Sequence, residues 1–311
     1  MTRAADQRLD AIDRMGLSAV LVTAAAWGMT GVFVRFLSDF SAPEIVAGRL
    51  IFSLLLIGPL VVWSRQHRQA WVIDCASLAT WALSGLLFVY YCAAVAAFGL
   101  APVSDVALLI SVSPLFILVY RLFGTRRFHP VEWIGALIAL VGVFLITLGE
   151  AVAGGLSLTR LEGDLLALGA AWATATYATV SSHLSGTQRA PRAISVAFTA
   201  SLVGGAIALA VAAIFGSLAL ERLDHAATLN FIGLGIISTA IPSLAYAMGS
   251  LRLPPLITTT IRLLTPIFAT VFALLILGEY PSIWTIPGGV MILVGMYLTL
   301  YPEITGKVRP G

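Results

Sequence analysis

The sequence predicts an all-α membrane protein of ten transmembrane helices, arranged as two inverted five-helix repeats. Three observations predict it. Mean hydropathy is +0.98, with 59% of residues hydrophobic and 11% charged, whereas about a quarter of residues are charged in soluble domains. The apolar residues form unbroken runs of about 20, the length of helix that crosses a hydrocarbon core of about 30 Å. The order of small, aromatic and proline residues in the first half recurs in the second.

The crossings must be helical or close into a barrel, because lipid offers no partner to backbone amides. Barrel strands alternate in polarity over about ten residues, and stretches such as Gly135–Leu148 do not. In order, the runs place helices at 16–36, 43–63, 76–98, 104–122, 131–149, 163–184, 191–215, 226–250, 256–277 and 283–301. This divides the chain into an N-terminal tail (1–15), a first repeat (16–149), a linker (150–162), a second repeat (163–301) and a C-terminal tail (302–311). Arg3, Arg8 and Arg14 precede the first run as in a signal peptide, but the run is too long and lacks a small-residue cleavage site, so it is expected to stay as a helix. Cys75 and Cys92 are too few for a disulfide framework or metal cluster and read as packing residues.

Topology follows from the loops. One side collects Arg3, Arg8, Arg14, Arg65, Arg68, Arg121, Arg126, Arg127, Arg189, Arg192, Arg252, Lys307 and Arg309, and the other has Arg35, Arg160 and Arg222. Both termini are therefore expected in the cytoplasm. The pI near 9.1 reflects this asymmetry and gives no reason to expect nucleic acid as a partner. A single lysine among many arginines suggests a GC-rich bacterial coding sequence, hence the cell (inner) membrane. Membrane lipid and a small solute are the expected partners, and the chain reads as either a monomer or a homodimer.

The repeat runs from end to end. Ala24-Ala25-Ala26-Trp27 matches Gly169-Ala170-Ala171-Trp172; Pro43 and Ser53 match Pro191 and Ser201; Pro102 and Ser113-Pro114 match Pro254 and Thr265-Pro266; Gly135 and Gly142 match Gly288 and Gly295. Five helices per copy is an odd number, so the second copy enters the membrane from the opposite side, a recurring design in secondary transporters.

On these residues the chain resembles the drug/metabolite transporter superfamily, in particular its EamA-type ten-helix members. Further carriers of the likeness are Trp27-Gly28, Ala47-Gly48-Arg49-Leu50, Gly163-Asp164-Leu165-Leu166-Ala167-Leu168, Gly278-Glu279 and Gly288-Gly289. The resemblance implies transport by alternating access, and export of amino acids or related metabolites. Two features depart from it. Arg126-Arg127 stands in the first half where the second has Gly278-Glu279. The first helix lacks the acid with which small four-helix multidrug members couple to protons.

Ionisable groups inside a membrane mark function by default. Asp13, Glu44, Asp74, Asp105, Glu132, Asp164, Asp224 and Glu279 all fall near predicted helix starts, where a carboxylate caps free amides and suits the helix dipole. Glu44 and Asp105, with His183 at the cytoplasmic end of the sixth helix, remain the candidates for proton coupling. Arg49 and Arg262 lie deeper. Each either snorkels to an interface or pairs with an anionic group of the solute. Arg262 is favoured, because Thr258, Arg262 and Thr265 form one polar stripe and Pro266 frees a backbone carbonyl beside it.

Other stripes at helical spacing are Thr23–Trp27–Thr30, Ser84–Phe88–Tyr91, Thr174–Tyr177–Ser181 and Thr239–Ser243–Tyr246. They read either as helix packing or as the lining of a solute site. On the second reading the substrate-binding candidates are Trp27, Thr30, Arg49, Tyr91, Trp172, Tyr177, Tyr246, Thr258 and Arg262. Trp63 and Trp71 read as interface-belt residues. An intramembrane enzyme would need a nucleophile–base pair, a carboxylate pair or metal-ligand spacing within the helices. None stands out, so neither catalysis, cofactor nor metal is expected. A channel shares the composition, but duplicated inverted halves favour a carrier.

Overall fold

A computed structural model describes residues 14–124, 130–154, 157–185, 190–215, 218, 220–253 and 261–304. Among these residues every regular element is helical. We number them α1 (Arg14–Phe36), α2 (Ala42–Val62), α3 (Arg65–Cys75), α4 (Leu78–Leu100), α5 (Val103–Ile110 and Ser113–Gly124), α6 (Pro130–Gly154), α7 (Leu158–Ser185), α8 (Ala193–Ile214), α9 (His225–Ile232, Gly233–Ala240 and Ile241–Arg252), α10 (Thr265–Leu277) and α11 (Thr285–Ile304). Among the described residues, seven helices are long and apolar enough to cross a membrane, and α10 and α11 are shorter apolar helices. Large side chains such as Leu55, Leu137, Phe144, Leu165, Leu275 and Val290 point out of the bundle. In a bilayer those faces meet acyl chains rather than water.

The elements differ from the sequence reading where polarity misled it. Residues 150–162, expected as a linker, are largely helical, since α6 runs to Gly154 and α7 begins at Leu158. A helix satisfies its own backbone in water as well as in lipid, so it need not stop where the apolar run stops. For the same reason the polar segment after α2 forms α3, whose N-terminus Ser64 caps by accepting from the His67 amide. Trp71 on α3 is no belt residue. It packs edge-on against Phe198 at 5.1 Å and donates its indole N–H to Thr199 Oγ1 at 3.0 Å. Trp63 is 83% exposed, as a belt residue would be.

Close packing relies on small residues. A Cβ on Gly135 would fall 2.5 Å from the Gly295 carbonyl oxygen, and one on Gly142 would fall 2.5 Å from that of Gly288. The antiparallel crossing of α6 and α11 is thus backbone against backbone. Elsewhere α1 runs antiparallel to α9, with Gly16 against Leu253 and Gly249 against Val20. α2 runs antiparallel to α8, where Ser53 donates to Ser201 at 2.8 Å, and parallel to α9, where Gly48 meets Phe231 and Gly235 meets Phe52. α4 packs on α7, α5 on both α7 and α10, and α1 on α10.

Two ends of the bundle can be distinguished. The near end holds Arg14, α3 and the start of α8. The far end holds residues 37–41, 101–102, 157 and 278–284.

Among the described residues, three helices are locally underwound into π-type turns: Ala200–Gly204 in α8, Gly233–Ala240 in α9 and Ala273–Leu277 in α10. Such turns displace side chains from the regular helical face and concentrate at functional sites. α5 is interrupted at Ser111–Val112, just before Pro114, and α10 is preceded by a turn at Leu263–Leu264, just before Pro266.

Candidate functional site

The site is built around Arg49. Its side chain is wholly buried within α2, and α9 supplies its partners. Nε donates to Thr239 Oγ1 at 2.8 Å and Nη2 donates to the Ser238 carbonyl at 3.1 Å. Both acceptors sit in the π-type stretch of α9. The residue four places beyond Ser238 is Pro242, which brings no N–H to that carbonyl, so the lone pair is open to the guanidinium. Thr239 is held in turn, donating to the Leu234 carbonyl at 2.9 Å. Ser238 ties α9 to α1 by donating to the Ala26 carbonyl at 2.9 Å.

The guanidinium also lies over the Tyr91 ring, 4.5 Å from its centroid, within the range of a cation–π attraction. Among the described residues, Nη1 is buried without a hydrogen-bond partner and no carboxylate pairs with Arg49. A buried cation with a spare donor fork is a ready receptor for an anionic group.

From Tyr91 the cluster continues across both halves of the chain. Tyr91 lies beside Ser243 and close to Tyr177, which in turn is close to Tyr246. Tyr246 packs on Trp27 with ring centroids 5.8 Å apart. Arg262, half-buried, sits 5.3 Å from both of those rings. The bundle thus brings together Trp27 of α1, Arg49 of α2, Tyr91 of α4, Tyr177 of α7, Tyr246 of α9 and Arg262 just before α10. Thr30 is buried one turn beyond Trp27. The Thr265 hydroxyl, one turn from Arg262, is buried without a partner among the described residues.

Trp172 does not join the cluster. It is 44% exposed and shares the outward face of α7 with Leu165, two turns away. Thr258 lies outside the described residues. A shallow groove of about 380 Å³ on the outer surface of α2, lined by Leu55, Pro59, Trp63 and His67 among others, includes none of the cluster residues.

The acidic residues divide by environment. Glu44 caps α2, with its Oε2 accepting from the Ser41 amide at 2.7 Å and from the Ser41 hydroxyl at 2.8 Å. Asp224 caps α9 through the Ala227 amide. Asp74 ends α3 rather than starting a helix, and accepts from the Arg192 amide and guanidinium. His183 is exposed on α7 and contacts the Thr179 carbonyl of its own helix.

Asp105 lies in the first turn of α5, as expected, and reaches beyond its own helix. It is fully buried, accepts from Arg160 at 2.5 Å and from the Thr285 hydroxyl at 2.5 Å, and so ties α5 to α7 and α11. Beside it, Glu279 accepts from the Val103 amide at 2.6 Å and lies 3.7 Å from Arg35. Arg35 also donates to the Ala101 carbonyl at 2.9 Å. Two charged clusters therefore bind the far ends of α1, α5, α7 and α11. Asp164, expected at a helix start, is the seventh residue of α7 and fully buried.

The model of the EamA-like transporter family matches twice, over residues 14–148 and 161–301. The chain belongs to the EamA-like transporter family. That family is one of transporters rather than enzymes. The chain is similar to an uncharacterized transporter, YdfC, of Bacillus subtilis, 29% identical over 196 residues (62% of this chain and 61% of that one). The threonine/homoserine exporter RhtA of Escherichia coli K12 is 29% identical over 195 residues, 62% of each chain. The matched regions thus span about 62% of the length of these relatives. A crystal structure 20% identical in sequence shares the fold, with a TM-score of 0.60 over 94% of this chain and 99% of the other.

The sequence pointed to most of the cluster through aromatic and arginine residues in apolar runs. It missed Ser238, whose role depends on the π-type turn and on Pro242. It also missed Arg35 and Arg160 as structural charges, because a loop census counts them only by side.

Proposed function

We propose that this EamA-like transporter exports a small carboxylate-bearing metabolite, an amino acid or a close relative, from the cytoplasm. Transport proceeds by alternating access at the Arg49–aromatic–Arg262 cluster. The single observation that carries this reading is the buried, unpaired Nη1 of Arg49 within a tyrosine- and tryptophan-lined cluster drawn from both halves. The arginine fork receives the carboxylate, and the ring faces receive the ammonium or the apolar portion of the solute. RhtA, a threonine/homoserine exporter, agrees in chemical class.

Ten crossings, as two oppositely inserted five-helix repeats with both termini cytoplasmic in the inner membrane, supply the mechanism. Helix pairing supports the duplication. If α1, α2, α4, α5 and α6 correspond to α7, α8, α9, α10 and α11, the α1–α9 contact corresponds to α7–α4, and α1–α10 to α7–α5. Likewise Gly135 against Gly295 corresponds to Gly288 against Gly142. Helices related this way exchange roles when the two halves rock, opening the site to one side and then the other. The far end is then extracellular, and the Arg35–Glu279 and Arg160–Asp105 clusters close it. The protein works as a monomer or homodimer.

The test is efflux from proteoliposomes loaded in turn with amino acids, nucleosides, sugar phosphates and cationic drugs. We expect saturable efflux of amino-acid-like carboxylates, strongly reduced in Arg49→Lys and Arg262→Ala at equal protein level. Unchanged affinity and rate in both variants would overturn the assignment.

A further inference from the structure

Asp164 is the one fully buried carboxylate near the far end for which neither oxygen has a hydrogen-bond partner among the described residues. It sits one turn from Arg160 on the same face of α7, within electrostatic reach of both Arg160 and Asp105. The neighbouring Gly163 packs against Leu100 and Ala101 at the far end of α4. α4 brings no charged residue to it, α5 brings Asp105, and α11 brings the neutral Thr285. From α1, Arg35 reaches the Gly99 and Ala101 carbonyls and Glu279. On α7 itself Glu162 is exposed and points away.

Two buried carboxylates thus lie within electrostatic reach of one guanidinium, which pairs with Asp105. Asp105 already takes Arg160 and the Thr285 hydroxyl, which makes it the ionised member. An ionised carboxylate without a partner in the same apolar surroundings would be strongly disfavoured.

We propose that Asp164 is a proton-binding site that latches the extracellular gate. With a proton on Asp164, Arg160 belongs to Asp105 and the far end stays shut. When Asp164 releases its proton to extracellular water, its carboxylate competes for Arg160, the Asp105 pair weakens, and the gate opens. The closed state holds one more proton than the open state, so closure gains up to tenfold for each unit of falling external pH. This rests on the reading of the far end as extracellular. It makes proton release the event that opens the exporter outward.

The test places a reporter thiol in the gate, using Ser104→Cys in a Cys75→Ser, Cys92→Ser background. Ser104 is buried beside Asp105. Labelling by a membrane-impermeant maleimide is followed in right-side-out vesicles from pH 5 to 8.5, with and without Asp164→Asn. Intrinsic thiol reactivity cancels in the ratio of the two rates. We expect that ratio to rise with pH, by at most tenfold per unit, and then level off. Asp164→Ser should give the same baseline as Asp164→Asn, and Asp164→Glu should restore the pH response. A ratio that stays flat across the range overturns the latch. Labelling that reaches position 104 only in inside-out vesicles overturns instead the placement of this end outside.

Discussion

At the scale of single residues, the site is a set of hydrogen bonds that only arginine can make at position 49. Lysine would keep the charge but lose the planar fork that reaches Thr239 and Ser238 together, and much of the stacking on Tyr91. We expect Arg49→Lys to lower substrate efflux at least tenfold while the protein still inserts, measured as initial rates normalised to purified protein. Thr239→Val keeps the shape of the side chain but removes the acceptor for Nε. A hydrogen bond to a charged group is worth about 1.5–3 kcal/mol. Detergent-solubilised Thr239→Val should therefore melt several degrees below the parent, and an unchanged melting temperature would show that the bond contributes nothing.

The same scale shows what could be read beforehand. Trp27, Arg49, Tyr91, Tyr177, Tyr246 and Arg262 were legible because polar and aromatic side chains stand out in apolar runs. Trp172 was equally conspicuous, yet it faces outward. A matching position in the repeat does not fix the rotation of a helix, which the packing of α7 on α4 and α5 sets.

At the scale of elements, glycine decides which helices touch. In the α6–α11 crossing a side chain at Gly142 would collide with the Gly288 backbone, and backbone cannot swing away as a side chain can. Gly142→Leu should therefore destabilise the fold by about 1–3 kcal/mol or more, read as lower yield and melting temperature. Gly85, in the middle of α4, has nothing within 4 Å of an added Cβ. There Gly85→Ala should be neutral or stabilise by up to about 1 kcal/mol through its better helix propensity.

Element ends were the least legible feature. Asp164 looked like the start of a helix because the apolar run begins at Gly163, but α7 begins at Leu158 and carries Arg160 inward to Asp105. Hydropathy locates the membrane-embedded part of a helix, not its hydrogen-bonded limits. The π-type turn that presents Ser238 and Thr239 leaves no compositional trace at all. Glu279 illustrates the gain from seeing the ends. It reads as part of a Gly-Glu signature, and it bridges the α5 amide terminus to Arg35. Glu279→Gln keeps the bond to Val103 but loses the ion pair. We expect it to raise maleimide access to the thiol of Ser104→Cys several-fold at a fixed pH.

At the scale of the whole molecule, every part of the proposal depends on two halves working against each other around one site. The cluster takes side chains from α1, α2 and α4 on one side and from α7, α9 and the start of α10 on the other, so neither half alone could form it. A channel built from the same helices would need no such division. The most direct measurement is counterflow in proteoliposomes with an amino acid identified by the efflux screen. Alternating access predicts that unlabelled substrate added outside accelerates efflux of labelled substrate from inside, with saturation on both sides. Flux that rises linearly with concentration, is indifferent to substrate on the opposite side and is accompanied by ohmic conductance would contradict it.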